Sequence, residues 1–172
     1  MASPNDTGRS AALSLQLSQA HGELRHRLAN LRAGLGRRTL PEDSLGAHCL
    51  AFCTALTNHH RGEDEGLFTA LVRERPDLAP TVAKLVEDHG FIARILTRVR
   101  ALAEQAVHAE QAALAADGPG ADLEAIGREL DGLAAIMESH FAYEERAIGA
   151  ALDAGVGGRE SWSQPVLRFR TP

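Results

Sequence analysis

Lysine is almost missing from this chain: Lys84 is the only one, and the remaining basic side chains are arginine. With the abundance of Ala, Gly and Leu, this composition is the one expected of a high-GC bacterial genome. Cysteine is limited to Cys49 and Cys53, one helical turn apart, where a disulfide is geometrically awkward. Both are expected to act as small core hydrophobes. No apolar run reaches the roughly 18 residues that a membrane span requires, so no membrane partner is expected. The net charge is -5 and no basic block occurs, which makes nucleic acid a poor partner. Met1–Ser10 is polar and lacks the apolar core of a signal peptide, so a cytoplasmic location is expected. Strand signals are nearly absent as well.

What the chain does contain is helical periodicity. Its 172 residues suit one domain with a core that needs no staples. Leu13, Leu17, His21, Leu24, Leu28, Leu31 and Leu35 alternate at three- and four-residue spacing, which predicts a helix over 10–35 ending near Gly34 and Gly36. Thr39-Leu40-Pro41-Glu42-Asp43 reads as the start of a second helix, running to about Glu74. Pro76 and Pro80 punctuate the next turn. A third helix, from about Ala79 to Ala116, turns Val82, Leu85, Val86, His89, Ile92, Leu96 and Val99 inward. Asp117-Gly118-Pro119-Gly120 is a loop. A fourth helix, over 122–152, turns Leu123, Ile126, Leu130, Leu133, Met137, His140 and Glu144 inward. The expected fold is all-α: an antiparallel up-down-up-down four-helix bundle over 1–154, with a short C-terminal tail over 155–172 that carries Trp162 and Phe169.

Seven polar residues interrupt the apolar stripes: His21, His59, His60, Glu63, His89, His140 and Glu144. The phrase His-x-x-x-Glu occurs twice, at His59–Glu63 and His140–Glu144. At about 100° per residue, His59, His60 and Glu63 share one inward arc, whereas His26 lies roughly 140° from His21 and points outward. Counted from the turns at a rise of about 1.5 Å per residue, the seven lie at similar depth, while His48 and His108 lie too far along their helices. A lone histidine on an apolar stripe is ordinarily a hydrogen-bonded core residue, and a His-x-x-x-Glu pair is ordinarily a surface contact. Neither explanation accounts for four helices with matched facing and matched depth. Burying so many imidazoles and carboxylates is costly unless something pairs them, and metal ions do so.

Imidazole with carboxylate suits iron, zinc or manganese, and seven donors exceed the four that one zinc ion takes. Two six-coordinate irons fit the count, with two bridging glutamates, five terminal histidines and about one position left open. Asn58-His59-His60-Arg61-Gly62-Glu63-Asp64-Glu65-Gly66-Leu67-Phe68 and Glu138-Ser139-His140-Phe141-Ala142-Tyr143-Glu144-Glu145-Arg146 resemble the hemerythrin-like, or HHE cation-binding, domain. Ala20-His21-Gly22-Glu23-Leu24-Arg25 and Glu87-Asp88-His89-Gly90 resemble its first- and third-helix motifs. The resemblance spans about 14–152. It implies an antiparallel four-helix bundle around two non-haem irons joined by an oxo or hydroxo bridge, with ligands at His21, His59, Glu63, His89, His140 and Glu144. His60 stands where some members have glutamate, and Thr69 where many have proline. Classical oxygen carriers have a second helix-three histidine four residues on, where this chain has Ala93, so His60 is needed to complete five histidines.

Three functions remain open at this point. The first is a di-iron protein that binds, senses or turns over a small oxidant: dioxygen, nitric oxide or peroxide. The second is a di-iron oxidase or oxygenase acting on a small organic substrate, with Gly62, Gly66 and Gly90 leaving room beside the ligands. The third is an interaction module held together by iron.

Overall fold

The computed structural model describes residues 4–37, 42–113 and 123–154, with side chains described over 13–35, 46–108 and 123–154. No strand occurs among the described residues. Helix α1 spans Pro4–Arg37, and α2 spans Glu42–Gly62. A π-helical turn, Glu63–Leu67, links α2 to α3, Phe68–Glu74. A 3-10 turn, Pro76–Leu78, leads into α4, Ala79–Ala113, and α5 spans Leu123–Asp153. Helix α1 packs on α5 and α2, and α4 packs on α2 and α5, so the helices close into a ring. The loop expected at 117–120, the tail after 154 and the start of the second helix at 39–41 lie outside the described residues.

The chain leaves α3 for a local reason. Arg75 precedes Pro76, whose ring disfavours the helical region for the residue before it. Arg75 accordingly sits at φ -131, ψ 76. Its N–H still closes the last turn on the Leu71 carbonyl at 2.7 Å, and its guanidinium pairs with Asp77. Helix α1 runs through Gly34 and Gly36 instead of stopping there. Each glycine weakens a helix by about 1 kcal/mol, which is less than one buried leucine supplies. Leu17, Leu24, Leu28 and Leu31 are all buried on that helix. Val86 departs from the expected stripe. It is 42 % exposed, because the inward line of α4 passes through Val82, Leu85, His89 and Ile92 and leaves Val86 on its flank.

The core is split in two. One apolar cluster gathers Leu24, Leu28, Phe52, Leu56, Ile92, Leu96, Leu130 and Leu133. The other gathers Leu17, Leu67, Phe68, Leu71, Leu85, Ile148 and Leu152. Between them on every helix stands a polar residue: His21 between Leu17 and Leu24, His59 to Glu63 between Leu56 and Leu67, His89 between Leu85 and Ile92. On α5, Glu144 precedes Ile148. Helices α2 and α4 approach closely at Gly46, where a side chain would collide with Val107 and lie 3.1 Å from the Ala103 carbonyl.

Candidate metal centre

All seven residues singled out in the sequence are buried, and together they are the buried polar set among the described residues. Their donor atoms converge. His60, His89 and His140 form one group whose nitrogens lie within 4.8 Å of one another, and His21, His59 and Glu63 form a second. A third group, Glu63, His89 and Glu144, overlaps both neighbours of the layer. Glu63 Oε1 lies 3.0 Å from His59 Nε2 and 3.7 Å from His21 Nε2, while its other oxygen lies 3.5 Å from His89 Nε2. Glu144 Oε2 lies 3.4 Å from His21 Nε2 and 3.6 Å from His140 Nε2. Each carboxylate therefore faces both histidine groups.

The π turn sits at this point. The Phe68 N–H bonds to the Glu63 carbonyl, five residues back, so the wide turn begins at a site residue. Thr69 Oγ1 donates to the Asp64 carbonyl at 3.2 Å, supporting the widened backbone from its exposed side. This turn is a correction to the continuous α-helix expected between Pro41 and Glu74. Nothing in hydrophobic periodicity marks a single extra residue in a helical turn.

A second layer of carboxylates orients the imidazoles. His21 Nδ1 bonds Glu145 Oε1 at 2.8 Å, and His89 Nδ1 bonds Asp64 Oδ1 at 2.8 Å. Asp88 Oδ2 stands 3.6 Å from His140 Nδ1. Each of these acids is the chain neighbour of a site residue, and each serves the histidine of another helix: Asp64 serves α4, Asp88 serves α5, and Glu145 serves α1. The repeated acid beside a ligand position was a readable signal in Glu63-Asp64, Asp88-His89 and Glu144-Glu145. Aromatic rings close the walls. Phe141 stacks on His21 at 3.9 Å with an interplanar angle of 8°, and Phe68 stacks on His89 at 5.6 Å. His60 and His89 stack on each other at 3.9 Å. His26, His48 and His108 are exposed.

The charge states conflict until something positive joins them. Burial carries His60 well below its ordinary value, with His89 adding to the effect. Burial and then His89 push His140 down to about 4. Burial and the neighbouring Glu63 hold Glu144 well above the usual carboxylate range. Burial acts on Glu63 in the same direction, but the imidazoles of His59 and His21 outweigh it and hold Glu63 low. Burial would lower His21 too, yet its bond to Glu145 and the nearness of Glu63 raise it.

The residues fit a bound cation. His21 Nε2, His60 Nε2 and both oxygens of Glu63 and of Glu144 are buried with no hydrogen-bond partner. Such atoms are rare in a folded protein and each is costly. His89 Nε2 and His140 Nε2 point at each other across 3.0 Å. Two imidazole nitrogens on one metal, each at about 2.0–2.1 Å and at a right angle, stand at that separation. No helix among the described residues is long and apolar enough to cross a membrane.

No curated protein and no solved structure matches the chain. A family model does: the hemerythrin HHE cation binding domain aligns over residues 14–152, from the last turn before the buried part of α1 to the end of α5. That span contains every residue of the polar layer, and the chain belongs to the hemerythrin HHE cation-binding domain family.

Proposed function

We propose that the chain holds two iron ions in its polar layer and uses them to bind, sense or turn over a small oxidant: dioxygen, nitric oxide or peroxide. One ion takes His60, His89 and His140, the other takes His21 and His59, and Glu63 and Glu144 are shared. The observation that carries this reading is Glu63, whose two oxygens face two separate histidine groups. The family supplies the cation, and the imidazole-rich donor set favours iron over the oxygen-seeking metals. A thiolate zinc site is disfavoured, because Cys49 and Cys53 lie in the apolar cluster with their thiols pushed up to about 12 and about 11 by burial.

The arrangement of the helices supports this reading. His21 meets Glu145, Arg25 meets Glu138 and Arg32 meets Asp131, so numbers rise along α1 as they fall along α5. His89 meets His140 and Arg98 meets Glu129, so α4 and α5 also run in opposite directions. We read the bundle as antiparallel and up-down-up-down, as one unit to residue 154, with the site at mid-height on all four segments.

The protein's own side chains do the rest. An ion at the two-histidine position would be held by His21 and His59 with the shared glutamates, one imidazole fewer than its neighbour, and would take an external ligand there. Leu17, Leu24, Leu56 and Phe141 exclude water from the layer, which strengthens every electrostatic contact inside it. Asp64 and Glu145 fix which ring nitrogen of His89 and His21 faces inward. The chemistry a bound iron pair supplies there is electron transfer to a small oxidant. Gly66 and Gly90 open onto empty space, not onto a walled chamber, so they lend no weight to an organic substrate.

An optical spectrum of the iron-loaded protein tests the proposal. Ferric bands that shift on adding peroxide or azide, or on cycling with dioxygen or nitric oxide, are expected. Bands that respond only to an organic substrate would favour the oxidase reading, and bands that respond to nothing would reduce the iron to a structural role.

A further inference from the structure

Between α1 and α5 the polar layer continues to the surface through Glu145, which is 28 % exposed. Glu145, which bonds His21, is itself held by Arg25 Nη1 at 3.2 Å. Arg25 Nε donates to Glu138 Oε2 at 2.8 Å, so a single guanidinium bridges two acids of α5. The same guanidinium lies 5.2 Å from the centre of the Phe141 ring, whose face stacks on His21. His21 is thus gripped twice, at Nδ1 through Glu145 and on its ring face through Phe141, and Arg25 touches both holders. Its side chain is 29 % exposed, so most of it is packed.

We propose that Arg25 is a positioning residue for the two-histidine metal position, acting on His21 through Glu145 and Phe141. The inference rests on the metal reading above and concerns how one half of the site is kept in place. A planar guanidinium with several fixed donors suits this task, because it holds two carboxylates and a ring face at once. Lysine, with a single point charge, satisfies only one of them. On the opposite half of the site Asp64 holds His89 Nδ1 at 2.8 Å, as Glu145 holds His21.

A neighbouring pair separates positioning from simple helix tying. Arg32 and Asp131 join the same two helices at 2.7 Å, lower on the bundle and apart from every site residue. Arg25→Met, Arg25→Lys, Glu145→Gln and Arg32→Met are titrated with ferrous ion, without oxygen, against a competing chelator, and the thermal midpoint of each metal-free variant is measured in parallel. The expected result is that Arg25→Met weakens one of two bound ions by about 10–100-fold and leaves the other near its wild-type affinity. Glu145→Gln, which keeps the size of the side chain, acts on the same ion. Arg25→Lys falls between, and Arg32→Met shifts the thermal midpoint without moving either affinity. Wild-type affinities in Arg25→Met and Glu145→Gln, with thermal midpoints lowered as in Arg32→Met, would overturn the proposal and leave Arg25 a tie between helices. Failure of the wild-type protein to bind two ions would instead overturn the metal reading on which this inference stands.

Discussion

His60 carries the largest single consequence at the residue scale. It is 6 % exposed, it stacks on His89, and its Nε2 has no hydrogen-bond partner. As a ligand it completes the three-histidine group, so His60→Ala is expected to bind one ion at least tenfold more weakly and to shift the absorption bands. His26→Ala, His48→Ala and His108→Ala, all at exposed positions, leave metal content unchanged. Metal analysis of the four variants checks both statements, and loss of iron from any of the three exposed positions contradicts the ligand set. Acid acts on the same layer. In the metal-free protein His140 is pushed down to about 4 against an ordinary 6.5. Between these values the unfolded chain binds a proton that the folded chain does not, so stability rises with pH. The contribution of His140 is therefore fully present above about pH 6.5 and is lost as the pH falls toward 4. Urea unfolding of metal-free protein at several pH values reads that slope, and His140→Phe should flatten it.

At the scale of elements, most of the architecture was written in leucine spacing. The inward stripes of α1 and α5 were legible because their apolar residues recur every three or four positions without competition. The same periodicity placed His21, His140 and Glu144, since each occupies a position that a leucine would otherwise fill. Two features were not legible. The π turn at Glu63–Leu67 inserts one residue into a pattern that tolerates it, because Leu67 and Leu71 remain buried beyond the turn. Val86 fits an apolar stripe by type, but it sits on the flank of the buried line through Val82, Leu85, His89 and Ile92. Gly46 is a further case: nothing in the sequence distinguishes it from Gly22 and Gly127, where a side chain would meet nothing within 4 Å, yet at Gly46 it would collide with Val107. Gly46→Ala gains about 1 kcal/mol of helix propensity and loses about 1–3 kcal/mol to overpacking against Val107. A net loss of about 1 kcal/mol in urea unfolding is expected, and Val107→Ala in the same chain should recover part of it. A stabilised Gly46→Ala protein would mean that α2 and α4 are not held this close.

Across the whole molecule, the polar layer divides one apolar core into two, and neither half reaches the other except through the seven site residues. Metal binding and folding would be coupled in such a design, because the donors are brought together only by the fold. The acids in the second layer extend that coupling around the bundle, each tying a ligand on one helix to the backbone of another. Identification of the layer from sequence succeeded because four independent helices agreed on depth and facing. Asp88 and Glu145 were legible only as acids next to site positions, while Arg25 and Phe141 stayed hidden because no periodic pattern selects them. The central claim is that this layer holds two irons, and elemental analysis of protein produced with ample iron tests it most directly. The account predicts about two irons per chain, both lost together with much of the thermal stability on chelation. One metal ion per chain, or zinc in place of iron under those conditions, would contradict it.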